Sequence, residues 1–191
     1  HLQRRNSERF KGVNDLVFDR AGNLYFTDQG QTGLHDPTGR LYRLTRDGRL
    51  DLLVGNIPSP NGGALSRDEK VLYLAVTRGN CVWRVPLLAD GSVAKVSQFF
   101  TSYGPSGPDG LAVDAQGRVI VANPGLGLVW VLNARAEPVV VLRGPAGAST
   151  TNVAFGGAAR CTLHVTDSTH GNILVARPHA PGLPLHRARE G

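Results

Sequence analysis

Apolar and polar residues follow one another along this chain in short bursts: a few β-branched, aromatic or leucine side chains, then a polar turn. Leu16-Val17-Phe18-Asp19 runs into the turn Arg20-Ala21-Gly22-Asn23, and Leu24-Tyr25-Phe26-Thr27-Asp28 follows. A polar loop, 29–38, leads to an apolar run at 39–44, the turn Arg46-Asp47-Gly48 and a fourth run at 50–54. Glycine and aspartate at the turns provide the backbone freedom and local hydrogen bonds of hairpins, and the runs are too short for helices. The order then recurs. A second set lies at 63–66, 71–76, 81–85 and 94–100, and a third at 111–113, 119–122, 128–132 and 138–142. A fourth set begins at 150–155, 163–167 and 172–176. No further strand is evident after Pro178, and 181–191 reads as a poorly ordered tail or as a connection to a neighbouring sheet. The pattern predicts an all-β chain, one domain over 1–191, with repeats at about 12–56, 57–103, 104–146 and 147–180.

Three motifs keep time with these repeats: Val13-Asn14-Asp15-Leu16, Pro60-Asn61-Gly62-Gly63 and Pro108-Asp109-Gly110-Leu111. Asn14 and Asn61 are 47 residues apart, and Asn61 and Asp109 are 48 apart. A period of about 40–50 residues built from short strands points to a β-propeller, whose blades number about four to eight. Equivalent positions on successive blades converge on one axis, so two amides and a carboxylate distant in sequence would meet there. Amide and carboxylate oxygens suit a hard cation such as Ca²⁺. The thiol and imidazole spacing of a zinc site is absent from the sequence. An oxygen-bearing residue at a strand start can also be a plain turn former, and Asp19, Asp47, Asp68, Asp90 and Asp114 are read that way.

Composition narrows the picture. The chain has 191 residues, 41% hydrophobic and 19% charged, which suits a globular domain with its own core and argues against disorder. The net charge of +6 comes mostly from scattered arginines such as Arg20, Arg40, Arg67 and Arg118, with no basic run interleaved with aromatics, so nucleic acid is not an expected partner. No apolar run is long enough to span a bilayer, and no secretory leader is visible, so no membrane partner and a cytoplasmic location are expected. Nothing in the sequence specifies an oligomeric state. The chain holds no methionine, and an internal or N-terminally truncated piece is expected. Cys81 and Cys161 sit beside apolar residues in different repeats and read as two buried free thiols. Trp83 and Trp130, on third strands, are expected to pack blade against blade. Asp167-Ser168-Thr169-His170 is too local for a nucleophilic triad and no Gly-x-Ser-x-Gly elbow accompanies it, although His170 is a candidate for the channel mouth. Gly125-Leu126-Gly127 is a turn rather than a phosphate loop.

The segments Asn14-Asp15-Leu16-Val17-Phe18-Asp19 with Gly22 to Asp28, Asn61-Gly62-Gly63-Ala64-Leu65-Ser66 with Asp68 to Leu72, Gly107-Pro108-Asp109-Gly110-Leu111-Ala112-Val113-Asp114 and Asn152-Val153-Ala154-Phe155 stand in a fixed order at blade spacing. Together they resemble the SMP-30/gluconolactonase/luciferin-regenerating family of six-bladed propellers, and most of all its Drp35-type bacterial lactonases. The likeness runs from about residue 10 to 176. It implies a six-bladed ring of which this chain holds about four blades; from the repeats alone, a closed four-bladed ring stays open. It further implies a calcium-dependent hydrolase acting on a small-molecule lactone through one divalent ion, with Zn²⁺, Mn²⁺ and Mg²⁺ as alternative occupants. By resemblance the ion falls on Asn61 and Asp109, with Asn14 at a position that contacts metal or substrate.

Asp109, the one carboxylate among the three motif positions, is the expected general base. Asn14, Asp15 and Asp28 are the expected substrate contacts. A glutamate that the family draws from an earlier blade has no counterpart in this sequence. Family members that take sugar lactones often carry arginine two residues before the Asn14 position, where this chain has Gly12. Two other readings accompany the lactonase: a non-catalytic propeller that serves as a binding module, and a strictosidine-synthase-like or paraoxonase-like relative with other substrates.

Overall fold

The computed structural model describes Arg4, Arg5 and residues 8–187. A short hairpin, β1 (Arg4–Arg5) with β2 (Glu8–Arg9), precedes a series of antiparallel sheets. The first sheet is β3 (Val13–Phe18), β4 (Leu24–Asp28), β5 (Gly39–Leu44) and β6 (Leu50–Ile57), hydrogen-bonded in that order. The second is β7 (Pro60–Leu65), β8 (Val71–Val76), β9 (Cys81–Pro86) and β10 (Ser97–Thr101). The third is β11 (Leu111–Val113), β12 (Val119–Asn123), β13 (Leu128–Leu132) and β14 (Pro138–Arg143). The fourth has three strands, β15 (Thr150–Gly156), β16 (Thr162–Asp167) and β17 (Asn172–Ala176). Each sheet is a meander whose first strand packs on the first strand of the next, β3 on β7, β7 on β11 and β11 on β15. This is the four-bladed propeller arrangement that the repeat predicts.

The aspartate turns build the hairpins as expected. Asp19 Oδ1 accepts the Asn23 amide at 2.8 Å, and Gly22 takes a φ of +92° that a side chain would resist. Asp114 Oδ1 accepts the amides of Gln116 and Arg118, while its Oδ2 pairs with Arg118 Nε at 2.6 Å. In the second blade Glu69 occupies the left-handed position with φ +58°, which aims its carboxylate at the neighbouring first blade.

Apolar side chains fill three seams between the four blades. Tyr25, Leu41, Leu72 and Leu74 meet in the first seam, Tyr73, Val121, Leu128 and Trp130 in the second, and Ile120, Val131, Leu163 and Val165 in the third. A strand in a middle blade is therefore covered on both faces, which is why β8, β12 and β13 are buried throughout and read as near-continuous apolar runs. Each fully buried leucine or valine contributes about 1.5–3 kcal/mol. Trp130 lies in the second seam against Phe100, with ring centroids 5.6 Å apart, and Trp83 packs on the first seam, so both tryptophans join blades as expected. Phe10 covers the outer face of the first blade by edge contacts to Phe26 and Tyr42 at 5.5 and 5.4 Å.

Over its described residues, to 187, the tail after β17 takes the second of its two expected courses, and 188–191 lie outside the described residues. It folds back on the third blade, with Ala115 N donating to Pro181 O at 2.8 Å and Leu183 N to Val113 O at 3.1 Å. Both cysteines are free, but only Cys81 is buried. Cys161, expected to be buried, is exposed because it lies in the turn before β16 and not on the strand. Among the described residues no helix is long and apolar enough to cross a membrane.

Candidate functional site

The motif residues sit where the inner strands begin. Gly62 N donates to Asp109 O at 3.2 Å, and Gly110 N donates to Thr151 O at 2.9 Å, so successive blades touch backbone to backbone there. Glycine is required for the approach. A Cβ at Gly62 would lie 2.4 Å from Asp109 O, and one at Gly110 would lie 2.0 Å from Asn152 Oδ1. The contact brings the side chains of Asn61 and Asp109, one blade apart, close enough for Asn61 to lower the Asp109 carboxyl's pKa.

Asp15 reaches the same place from the first blade. Its Oδ2 accepts the Gly63 amide at 3.1 Å and its Oδ1 accepts the Leu16 amide at 2.8 Å. Burial pushes the Asp15 carboxyl up, and the two amides pull it back in part. The Asp109 carboxyl is pushed up to about 6, first by burial and then by the negative charge of Asp15, while the Asn61 bond opposes the shift. The axis thus carries two carboxylates that repel each other and one amide in contact with them. A cation between the two carboxylates would relieve that repulsion.

Asn14 and Asp28 are placed elsewhere. Asn14 is exposed and donates to Gln29 Oε1 at 2.7 Å, and Gln29 in turn donates to Ser59 Oγ at 2.8 Å, so Asn14 faces the loop after β4. Asp28 is fully buried. Its Oδ2 takes Arg40 Nη2 at 2.6 Å and its Oδ1 takes the Gly12 amide at 2.8 Å, so its oxygens are engaged in holding the first blade together. Asp167 does the same in the last blade, accepting the Ser149 amide at 3.0 Å and pairing with His170 at 2.6 Å. That pair keeps His170 on the loop above the blade. Asn152, which sequence reasoning linked to the last blade without a role, stands over Gly110 beside Asp109. The glycine directly after Asp109 was the available signal, since it marks where another backbone comes close.

A groove of about 650 Å³ runs from Asp15 and Asn152 along the inner strands and the open face of the last blade to the C-terminal tail. At its far end His186 Nε2 meets Glu69 Oε1 at 3.0 Å, and Glu69 also accepts the Arg20 amide at 3.1 Å.

A propeller with polar groups gathered at its strand starts is the class that fold and site define. Residues 2–169 match the SMP-30/Gluconolactonase/LRE-like region, and the chain belongs to that family. Lactonase drp35 of Staphylococcus aureus strain MW2 is 37% identical over 134 residues, which cover 66% of this chain and 40% of the relative. The lactonase drp35 of Staphylococcus haemolyticus strain JCSC1435 is 36% identical over the same length. The chain thus spans about two fifths of the curated relatives it matches. Of the solved structures, a luciferin-regenerating enzyme superposes with a TM-score of 0.80 at 25% identity, covering 93% of this chain and 65% of its own. Regucalcin of Agrobacterium tumefaciens strain C58, a calcium-binding protein, superposes with a TM-score of 0.80 at 26% identity, again covering 93% and 65%.

Proposed function

We propose that this chain carries the hydrolytic site of a lactonase, with Asp109 as the general base. The observation that supports it is the meeting of Asp15, Asn61 and Asp109 from three blades at one point on the axis. The family membership and the lactonase relatives favour the same reading. With no ion bound, burial and the charge of Asp15 raise the Asp109 carboxyl to about 6, so it is ionised at neutral pH and can accept a proton from water. The hydroxide equivalent so formed adds to the lactone carbonyl carbon. The ring C–O bond then breaks, and the proton held by Asp109 passes to the departing alkoxide, giving a hydroxy acid. Asn61 stands against the Asp109 carboxyl, and burial first, then the charge of Asp15, keep that carboxyl basic.

The donor set fits a hard divalent ion such as Ca²⁺, since all three groups offer oxygen. Asn61 and Asp109 would hold it, with Asp15 next to them. Among the described residues no group of three or more His, Cys, Asp and Glu gathers, so amide oxygens must complete the set. Such an ion would polarise the lactone carbonyl and lower the pKa of water beside it.

The test is hydrolysis of a small lactone panel by the chain and by Asp109→Ala, with EDTA and with Ca²⁺ restored. Activity lost in EDTA, regained with Ca²⁺ and lower by roughly a hundredfold or more in Asp109→Ala supports the assignment. A folded chain that binds no Ca²⁺ by calorimetry and opens no lactone overturns it, and the binding-module reading then stands.

A further inference from the structure

A second cavity, of about 630 Å³, opens between the first two blades at the end where the inner strands begin. Gln29, Thr32, Gly33 and His35 line it from the loop after β4, and Ser59 and Arg78 line it from the second blade. Its lining holds no carboxylate. The one acid of that loop, Asp36, is outside the lining, and its Oδ1 accepts the Thr38 hydroxyl at 2.6 Å. Arg78 is exposed and has no ion-pair partner among the described residues. A Cβ added at Gly33 would lie 3.8 Å from Arg78 Cγ and 3.1 Å from His35 Nδ1, so both basic side chains lean on that glycine. Ser59 is only 4% exposed. Its amide donates to Thr32 Oγ1 at 3.0 Å and its Oγ accepts Gln29 Nε2 at 2.8 Å, yet among the described residues nothing accepts its hydroxyl proton. A guanidinium fork, an imidazole and a spare hydroxyl proton around one space, with no acid among them, form a receptor for an anion.

The cavity adjoins the axial cluster. Ser59 stands two residues before Asn61, about 7 Å along an extended chain. Thr77 N donates to Ser59 O at 3.0 Å, and Thr77 Oγ1 donates to Pro108 O at 2.7 Å. The turn that carries Arg78 is therefore fastened to the residue directly before Asp109. On the opposite wall Gln29 holds Asn14. We infer that this cavity is the subsite for a carboxylate carried by the substrate, gripped by Arg78 and the Ser59 hydroxyl while the lactone carbonyl lies at Asp109. The inference rests on the lactonase reading above. Arg78 is the one permanently charged group in the lining, which matches a carboxylate monoanion better than a phosphate dianion. A neutral substituent in the same place would exchange one hydrogen bond to water for another and gain little.

The experiment measures kcat/KM for γ-butyrolactone-γ-carboxylate and for the matching carboxamide. In parallel, the Arg78 Nε–H resonance is followed by NMR during titration with tetrahydrofuroate, which has no lactone to open, and with its amide. The kinetics are repeated on Arg78→Gln and Arg78→Lys. They are also repeated on Arg46→Gln, which removes an exposed arginine from the turn between β5 and β6, at the other end of the first blade. The expected result is a preference for the carboxylate of roughly tenfold, expressed in KM rather than kcat. That ratio should fall to about one in Arg78→Gln, recover in part in Arg78→Lys, whose ammonium lacks the fork, and persist in Arg46→Gln. The Arg78 signal should shift saturably with tetrahydrofuroate and stay in place with the amide. Hydrolysis without the preference, or with a preference that survives Arg78→Gln, overturns the inference while the lactonase reading stands. An equal loss in Arg46→Gln overturns it in favour of a general attraction of anions to a basic chain. No hydrolysis of either lactone, with the Arg78 shift intact, overturns the lactonase reading and leaves the cavity as a carboxylate site. No shift with tetrahydrofuroate overturns the anion site itself.

Discussion

At the scale of single residues, Asp109 and Asp28 separate two uses of one side chain. Asp109 has a folded pKa of about 6 against an ordinary value of 3.8, so between these pH values the folded chain holds a proton that the unfolded chain has released. Stability contributed by the protonated carboxyl is present below pH 4 and is lost as pH rises through 6. In EDTA, Asp109→Asn should therefore raise the urea midpoint at pH 7, by an equivalent of about 1–2 kcal/mol after allowance for partial exposure, and leave it unchanged near pH 4. A variant that is destabilised at pH 7 would show that the charge at Asp109 is compensated by a partner. Asp28 should behave in the opposite way. Its loss leaves buried Arg40 with Glu8, the Arg9 carbonyl and the Tyr42 ring as partners but no buried counter-charge among the described residues, so Asp28→Ala should cost about 3 kcal/mol in chemical denaturation. The same variant should leave KM for any lactone within about twofold where the chain stays folded; a larger rise in KM would restore Asp28 as a substrate contact.

At the scale of elements, the sequence displayed the strands and their turns plainly. A hairpin needs only neighbouring residues, and Asp19, Gly22, Asp114 and Gly117 carry that information locally. It displayed the site less completely. Asn61 and Asp109 were legible because each opens a strand at blade spacing. The different surroundings of Asn14 and Asp15, both expected as contacts, were not, because the β3–β4 register shifts between Val13 and Leu16 and the alternation of faces breaks there. The glycines that bring the blades together yield a direct prediction. Gly62→Ala places a Cβ 2.4 Å from the Asp109 carbonyl oxygen, the backbone atom that accepts the Gly62 amide, and should destabilise by about 2–3 kcal/mol. It should also weaken Ca²⁺ binding, read by calorimetry, because it parts Asn61 from Asp109. Gly117→Ala, which meets no atom within 4 Å but must keep a φ of +79°, should cost about 1 kcal/mol and leave Ca²⁺ binding alone.

At the scale of the whole molecule, stability lies in the three seams between blades. Leu163, fully buried between the third and fourth blades, should cost about 3 kcal/mol on truncation to alanine, whereas Ile173→Ser on the open face of the last blade should change stability by less than about 0.5 kcal/mol. Equal losses at the two sites would mean that the outer face of the last blade is covered in solution. By itself, the sequence determined the all-β class, the strand order within each blade, the hairpin chemistry and the blade period, because each depends on residues a few positions apart. The tertiary structure decided which of the polar residues at strand starts share a space. It set Asp15 against the Gly63 amide and Asn14 against Gln29, buried Asp28 against Arg40, and folded the tail back on the third blade. Those outcomes depend on how blades some 48 residues apart approach one another, and that approach is set by packing against glycine rather than by any local pattern.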